Sequence, residues 1–284
     1  MGILLALIPA VTWGSILLVS SKLGGDDYSK TVGTTLGALL FSIGVFIFSQ
    51  PEMSMLVWII GFISGLFWAV GQKNQFTSVK YMGVSKTLPI STGMQLLGTT
   101  LFGVLVFHEW SNQTTIILGS IAILAIIIGV VFTSLGQKAE DEEYKKNLKR
   151  GMMKLLISTI GYVGYIVIIR WFDINGWAAI LPQALGMVAA GTILTIKHRP
   201  YNRYAFRNIV TGLIWAAGNL GLLLSLPLVG VATSFSLSQT GIVISTLGGI
   251  FLLNEKATRK QIVYVIIGCL LIIAGGVLLG YTKE

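Results

Sequence analysis

Cysteine is nearly absent: among 284 residues only Cys269 occurs, so no intramolecular disulfide can form and no cysteine metal site is available. Its place inside an apolar run suits a small packing residue. Charge is scarce as well. With 11% charged and 54% apolar residues and a mean hydropathy of +0.81, the chain falls far short of the roughly 25% charge of a soluble globule. Carboxylates are missing from the middle third of every apolar run, which removes the deep acidic group that an exporter of cationic drugs uses. No nucleophile with a base, carboxylate pair or metal cluster shares one depth, so a membrane enzyme is disfavoured. The net charge of +9 does not indicate nucleic acid, because the lysines and arginines flank apolar runs and leave no basic aromatic surface.

What the chain has in abundance is apolar length. Runs long enough for a hydrocarbon core of about 30 Å fall at 3–21, 31–49, 55–76, 84–107, 114–134, 152–171, 177–196, 206–226, 230–253 and 261–281. These make ten transmembrane helices and an all-α integral membrane protein. Nothing basic precedes the first run and no clean small-residue cleavage pattern follows it before Lys22, so it reads as a retained span rather than a signal peptide.

The chain also repeats. With a shift of 147 residues, Gly65-Leu66-Phe67-Trp68-Ala69-Val70-Gly71-Gln72 lies over Gly212-Leu213-Ile214-Trp215-Ala216-Ala217-Gly218-Asn219; with a shift of 146, Thr100, Gly103, Glu109 and Gly129 lie over Thr246, Gly249, Glu255 and Gly275. Five spans per half oblige the copies to point opposite ways, as in secondary transporters whose site opens to either side in turn. The expected organisation is a first five-helix repeat over 1–135, a solvated cytoplasmic linker over 136–150, and a second, inverted five-helix repeat over 151–284.

Orientation follows from the basic residues. Of the 20 lysines and arginines, all but Lys73, Arg170 and Lys283 follow odd-numbered spans. Positive charge marks cytoplasmic loops, so both termini are expected outside the cytoplasm. Lys73, near the end of the third run, can snorkel toward the interface. His198, among arginines, reads as solvated.

Polar side chains inside spans face the bundle interior, where they tie helices together or line a cavity. The pairs Trp68/Gln72 and Trp215/Asn219 are repeat equivalents, each four residues apart on one helical face. Gln95 with Ser91, and Gln239 with Ser238, mark spans four and nine; Trp13 beside Gly14 and Tyr162 beside Gly161 mark spans one and six. Aromatic faces stack on the C–H faces of a sugar while neutral amides meet its hydroxyls. Trp13, Trp68, Gln72, Gln95, Tyr162, Trp215, Asn219 and Gln239 are therefore the candidate substrate-binding residues of a midplane cavity. Glu109 and Glu255 close spans four and nine, where a helix-end or ion-pair role is expected. His108, Glu109 and Asp173 are the titratable groups available to a proton-coupled cycle on the outward side. Gly33 with Gly37, and Gly61 with Gly65, are small-residue spacings that admit close helix packing; Pro9, Pro89 and Pro182 lie inside spans and can kink them.

The runs Leu7-Ile8-Pro9-Ala10-Val11-Thr12-Trp13-Gly14-Ser15, Gly33-Thr34-Thr35-Leu36-Gly37-Ala38-Leu39, Ser91-Thr92-Gly93-Met94-Gln95-Leu96 and Gly230-Val231-Ala232-Thr233-Ser234-Phe235-Ser236-Leu237-Ser238-Gln239 resemble the bacterial glucose/ribose uptake family of the drug/metabolite transporter superfamily, its glucose uptake branch above all. The resemblance spans the chain. It implies the drug/metabolite transporter fold of two inverted five-helix repeats in the bacterial cytoplasmic membrane, and uptake of a monosaccharide, glucose first, by proton symport. It implies a proton gradient and no cofactor, with a small sugar and the bilayer as partners. Lys73, beside the amides, departs from the neutral pattern. The alternative on the same scaffold is an exporter of amino acids or other small metabolites, whose zwitterions would need a buried charge or an exposed helix terminus as partner.

Overall fold

Capping chemistry and apolar length together set ten α-helices among the described residues. The computed structural model describes residues 2–108, 110, 112–135 and 142–282. Its helices are α1 (Gly2–Leu23), α2 (Asp27–Ser49), α3 (Met55–Met82), α4 (Val84–Leu105), α5 (Gln113–Ser134), α6 (Glu142–Trp171), α7 (Gly176–Thr195), α8 (Arg203–Gln239), α9 (Gly241–Leu252) and α10 (Arg259–Tyr281). No strand occurs among the described residues. First-turn N–H groups have no partner within a helix, and side chains take them up. Asp26 accepts from the Ser29 N–H at 2.8 Å before α2, Asn112 and Thr115 form a capping box on α5, and Thr258 and Gln261 form another on α10. Gly83, at φ 75°, supplies the left-handed turn that joins α3 directly to α4.

Among the described residues eight helices, α1 to α7 and α10, are long and apolar enough to cross a membrane. Large apolar side chains such as Phe48 and Ile193 stand 91% and 73% exposed, which a hydrocarbon surround accommodates and water does not. The chain is a multi-pass membrane protein. One boundary differs from expectation. The break expected at 227–229 is helical: α8 continues for 37 residues to Gln239, and α9 has only 12. Leu226-Pro227-Leu228-Val229 offers no polar run to draw the backbone into water, and a proline removes only one helical hydrogen bond. Composition alone therefore could not locate the end of a helix roughly 55 Å long at about 1.5 Å per residue.

The chain divides into two contact units, with the divisions falling inside α1, α3, α6 and α8. The first takes 1–18, 78–153 and 217–284; the second takes 19–77 and 154–216. Each unit draws on both halves of the sequence.

In the first unit α5 and α10 run antiparallel along a seam of small residues. A Cβ on Gly129 would come within 2.7 Å of the Gly268 carbonyl oxygen, and one on Gly275 within 2.8 Å of that of Ala122. Ala122 and Gly268 are 146 residues apart, as are Gly129 and Gly275, so each contact becomes the other when the sequence copies are exchanged. Leu96, Ile126, Val265, Cys269 and Ile272 fill the adjoining core. Cys269 is 1% exposed and its Sγ lies 3.3 Å from the Thr246 hydroxyl, the packing role its setting predicts.

The second unit has similar close crossings between other helices. A Cβ on Gly37 would overlap the Ile209 carbonyl oxygen and approach Gly212, while one on Gly186 would overlap that of Phe62 and approach Gly65. Phe62 and Gly65 precede Ile209 and Gly212 by 147 positions. Both small-residue spacings thus lie where backbones touch. Loops also assort by parity. Asn202, after α7, donates to Ser29 at 2.8 Å, and Asn208 donates to the Gly24 carbonyl at 3.1 Å. The loops after α2 and α6 share an open cavity of about 610 Å³. This parity is what successive crossings of a membrane produce.

Candidate functional site

One face of α3 carries Trp68, Gln72 and Gln75 at helical spacing. Against it lie Tyr162 of α6 and Trp215 of α8, all within the second unit. The Tyr162 hydroxyl donates to Gln72 Oε1 at 2.8 Å and also lies 3.3 Å from Gln75 Oε1. The Trp68 ring meets Tyr162 edge-on with centroids 6.3 Å apart, and Trp215 at 4.7 Å and 59°. Glycine permits this closeness: a Cβ on Gly161 would come within 2.5 Å of the Gly71 nitrogen, and the Ser158 hydroxyl donates to the Gly71 carbonyl at 2.8 Å. Trp68 and Gln72 are 1% and 2% exposed, whereas Trp215 is half-buried. The cluster offers a hydroxyl, two amides and three rings, a set suited to a neutral polyhydroxy ligand. In this conformation Tyr162 occupies the Gln72 carbonyl oxygen.

The other four candidates lie in the first unit. Trp13, half-buried on α1, sits beside Gly218, where a Cβ would lie 2.4 Å from its indole nitrogen. Tyr162 sits beside Gly71 in the same way, at 2.9 Å, and Gly71 precedes Gly218 by 147 positions. Asn219, also half-buried, follows Gly218 on α8. Gln95 donates to the Ser91 hydroxyl at 3.0 Å; Gln239 donates to Ser238 at 3.0 Å and lies against Gly276 of α10. The structure thus divides the eight candidates four and four.

Among the titratable candidates, His108 and Asp173 are exposed loop residues with φ of 52° and 49°. Asp173 borders the 610 Å³ cavity together with Glu52. Glu109 lies outside the described residues. Glu255 binds a helix end, as its position suggested: its carboxylate accepts from the Val84 N–H at 2.5 Å, the Ser85 N–H at 3.1 Å and the Ser85 hydroxyl, at the start of α4.

Sequence reasoning missed Asp27. It is 2% exposed at the start of α2, outside the expected span, and accepts from the Thr77 hydroxyl at 2.5 Å. Beside it the Lys73 ammonium lies 5.5 Å from the centre of the Tyr28 ring, well inside α3. His198, exposed as expected, also stacks on the Tyr28 ring, with centroids 3.8 Å apart and planes at 6°. The available signal was an Asp26-Asp27 pair directly before an apolar run, with Lys73 and Thr77 one turn apart on α3.

The family described as "Sugar transport protein" matches residues 4–282. A Priestia megaterium protein named "Probable glucose uptake protein GlcU" is 60% identical over 286 residues, covering 100% of both chains. The "Glucose uptake protein GlcU" of Bacillus subtilis (strain 168) is 57% identical over 284 residues, covering 100% of this chain and 99% of its own. One crystal structure, 17% identical, superposes with a TM-score of 0.64 over 98% of this chain and 96% of that chain, a likeness of fold alone.

Proposed function

The chain belongs to the sugar transport protein family, and from that premise we propose that it takes a neutral monosaccharide, glucose before others, into the bacterial cell by alternating access coupled to inward proton flow. The observation that carries the reading is the full-length family match, to which the Trp68–Gln72–Tyr162–Trp215 cluster adds suitable chemistry. Uptake of labelled glucose into liposomes, with and without an inward proton gradient, tests it. Accumulation only with the gradient is the expected result. Equilibration indifferent to the gradient would leave a facilitator, and inertness toward glucose with uptake of alanine would move the assignment to amino acids.

The proposed architecture is a repeat over 1–135, a linker over 136–150 and an inverted repeat over 151–284. Its support is the α5–α10 seam, in which equivalent helices run antiparallel and exchange contacts. The proposed orientation, both termini outside, rests on the basic residues that follow odd-numbered spans.

Gln72→Ala and Asn219→Ala should each raise the half-saturation concentration for glucose by roughly fivefold or more, the worth of about one hydrogen bond. Membrane abundance should not change. Initial-rate kinetics in vesicles decide this, and wild-type values in both variants would remove these residues from the site. For coupling, Glu109→Gln should transport glucose down its gradient without concentrating it; retained accumulation would exclude Glu109 as the proton carrier.

A further inference from the structure

A tyrosine has one hydroxyl proton to donate, and that of Tyr162 has two acceptors within reach. The hydroxyl donates to Gln72 Oε1 at 2.8 Å, and Gln75 Oε1 stands 3.3 Å away. Gln75 lies one turn beyond Gln72 on the same face of α3 and is absent from the eight residues that aromatic and amide pairing selects. It is 5% exposed, against 2% for Gln72 and 7% for Tyr162, so all three groups lie away from water. The Gln72 amide also turns toward it: Gln72 Nε2 donates to Gln75 Oε1 at 3.5 Å. The short bond at Gln72 and the longer ones at Gln75 rank the two acceptors in this conformation.

A sugar hydroxyl that donates to Gln72 Oε1 must displace the phenol. A buried hydroxyl left without an acceptor is costly, so the phenol leaves Gln72 readily only if another acceptor takes it. Gln75 Oε1 is that acceptor, near enough that a small swing of the ring exchanges the two. The backbone around the ring is pinned: the Ser158 hydroxyl donates to the Gly71 carbonyl at 2.8 Å, and a Cβ on Gly161 would come within 2.5 Å of the Gly71 nitrogen. The motion therefore belongs to the side chain, and Gly71 leaves it room, since a Cβ there would come within 2.9 Å of the Tyr162 ring. Resting on the sugar-uptake reading, we propose that Tyr162 is an internal ligand that holds Gln72 closed until a sugar hydroxyl replaces it, and that Gln75 is the positioning residue that receives the phenol. Gln75 thereby sets how tightly the site takes sugar without touching the sugar.

The test is equilibrium binding of radiolabelled glucose to the purified full chain in lipid nanodiscs, for wild type, Tyr162→Phe, Gln75→Met and the double variant. Methionine removes the acceptor at similar length. Gln75→Met should weaken binding about fivefold, the worth of one hydrogen bond, because the phenol stays on Gln72. Tyr162→Phe should bind about threefold more tightly than wild type, and adding Gln75→Met to it should change the dissociation constant by less than about twofold. A Gln75→Met effect of equal size in both backgrounds is a structural one and overturns the proposal, as does wild-type affinity in Gln75→Met. Weaker binding in Tyr162→Phe overturns it too, by placing the hydroxyl on the sugar, and this arm stays decisive even where Gln75→Met fails to fold. In each of these cases glucose bound by wild type leaves the uptake reading standing, whereas a wild type that binds no glucose removes both.

Discussion

Valine at Gly65 or at Gly212 is expected to leave little folded protein in the membrane, with the two substitutions failing alike. A Cβ on Gly65 would overlap the Gln183 carbonyl oxygen and lie 2.7 Å from the Met187 nitrogen; one on Gly212 would overlap the Thr34 carbonyl oxygen and lie 2.7 Å from the Ala38 nitrogen. Backbone cannot rotate aside as a side chain can, so the helices must separate and lose the contacts around the crossing. Overpacking alone costs about 1–3 kcal/mol, and the branched methyls add to it, against a total stability of about 5–15 kcal/mol for a typical protein. Gly44→Val is the control, because nothing lies within 4 Å of a Cβ there. Size-exclusion profiles and thermal midpoints of the solubilised variants report the outcome. Gly65→Val as stable as Gly44→Val would show that the crossing tolerates a side chain.

Glu255→Ala should lower stability by about 2–3 kcal/mol, through the loss of a charge-assisted cap on α4. The carboxylate holds two backbone N–H groups and the Ser85 hydroxyl across 170 residues of sequence, so its removal leaves the first turn of α4 without acceptors and frees the α9–α10 connection. Glu255→Gln keeps one amide oxygen and should lose about half as much. Because Ser85 and Glu255 act as one unit, Ser85→Ala combined with Glu255→Ala should cost less than the sum of the two changes. Thermal unfolding in detergent checks both statements, and wild-type stability in Glu255→Ala would assign the contact no energetic role.

Apolar length placed ten helices in the sequence because each crossing must satisfy its backbone internally. Where that pressure weakens, legibility fails. The α8 helix ends at Gln239 rather than before 227 because no polar segment marks the change. For the site, paired aromatic and amide residues one turn apart brought Trp68, Gln72, Trp215 and Tyr162 onto facing surfaces of three helices. Trp13, Gln95, Asn219 and Gln239 belong to the other unit, a division that spacing along one helix does not encode. Asp27 escaped because attention to the middle of each span overlooks a carboxylate buried at a helix start. Its carboxylate is met by Thr77, 50 residues away, and a contact at that separation leaves no periodic trace.

The seam between α5 and α10 also makes the two helices limit each other. Gly129 is held small by Gly268, and Gly275 by Ala122. An enlargement on either side meets the backbone of the facing helix, so neither helix can gain bulk there unless the other recedes. A side chain added at Gly129 or Gly275 would therefore have to be matched by retreat of the opposite helix, which makes the facing pair, rather than either residue alone, the unit that tolerates or rejects a change.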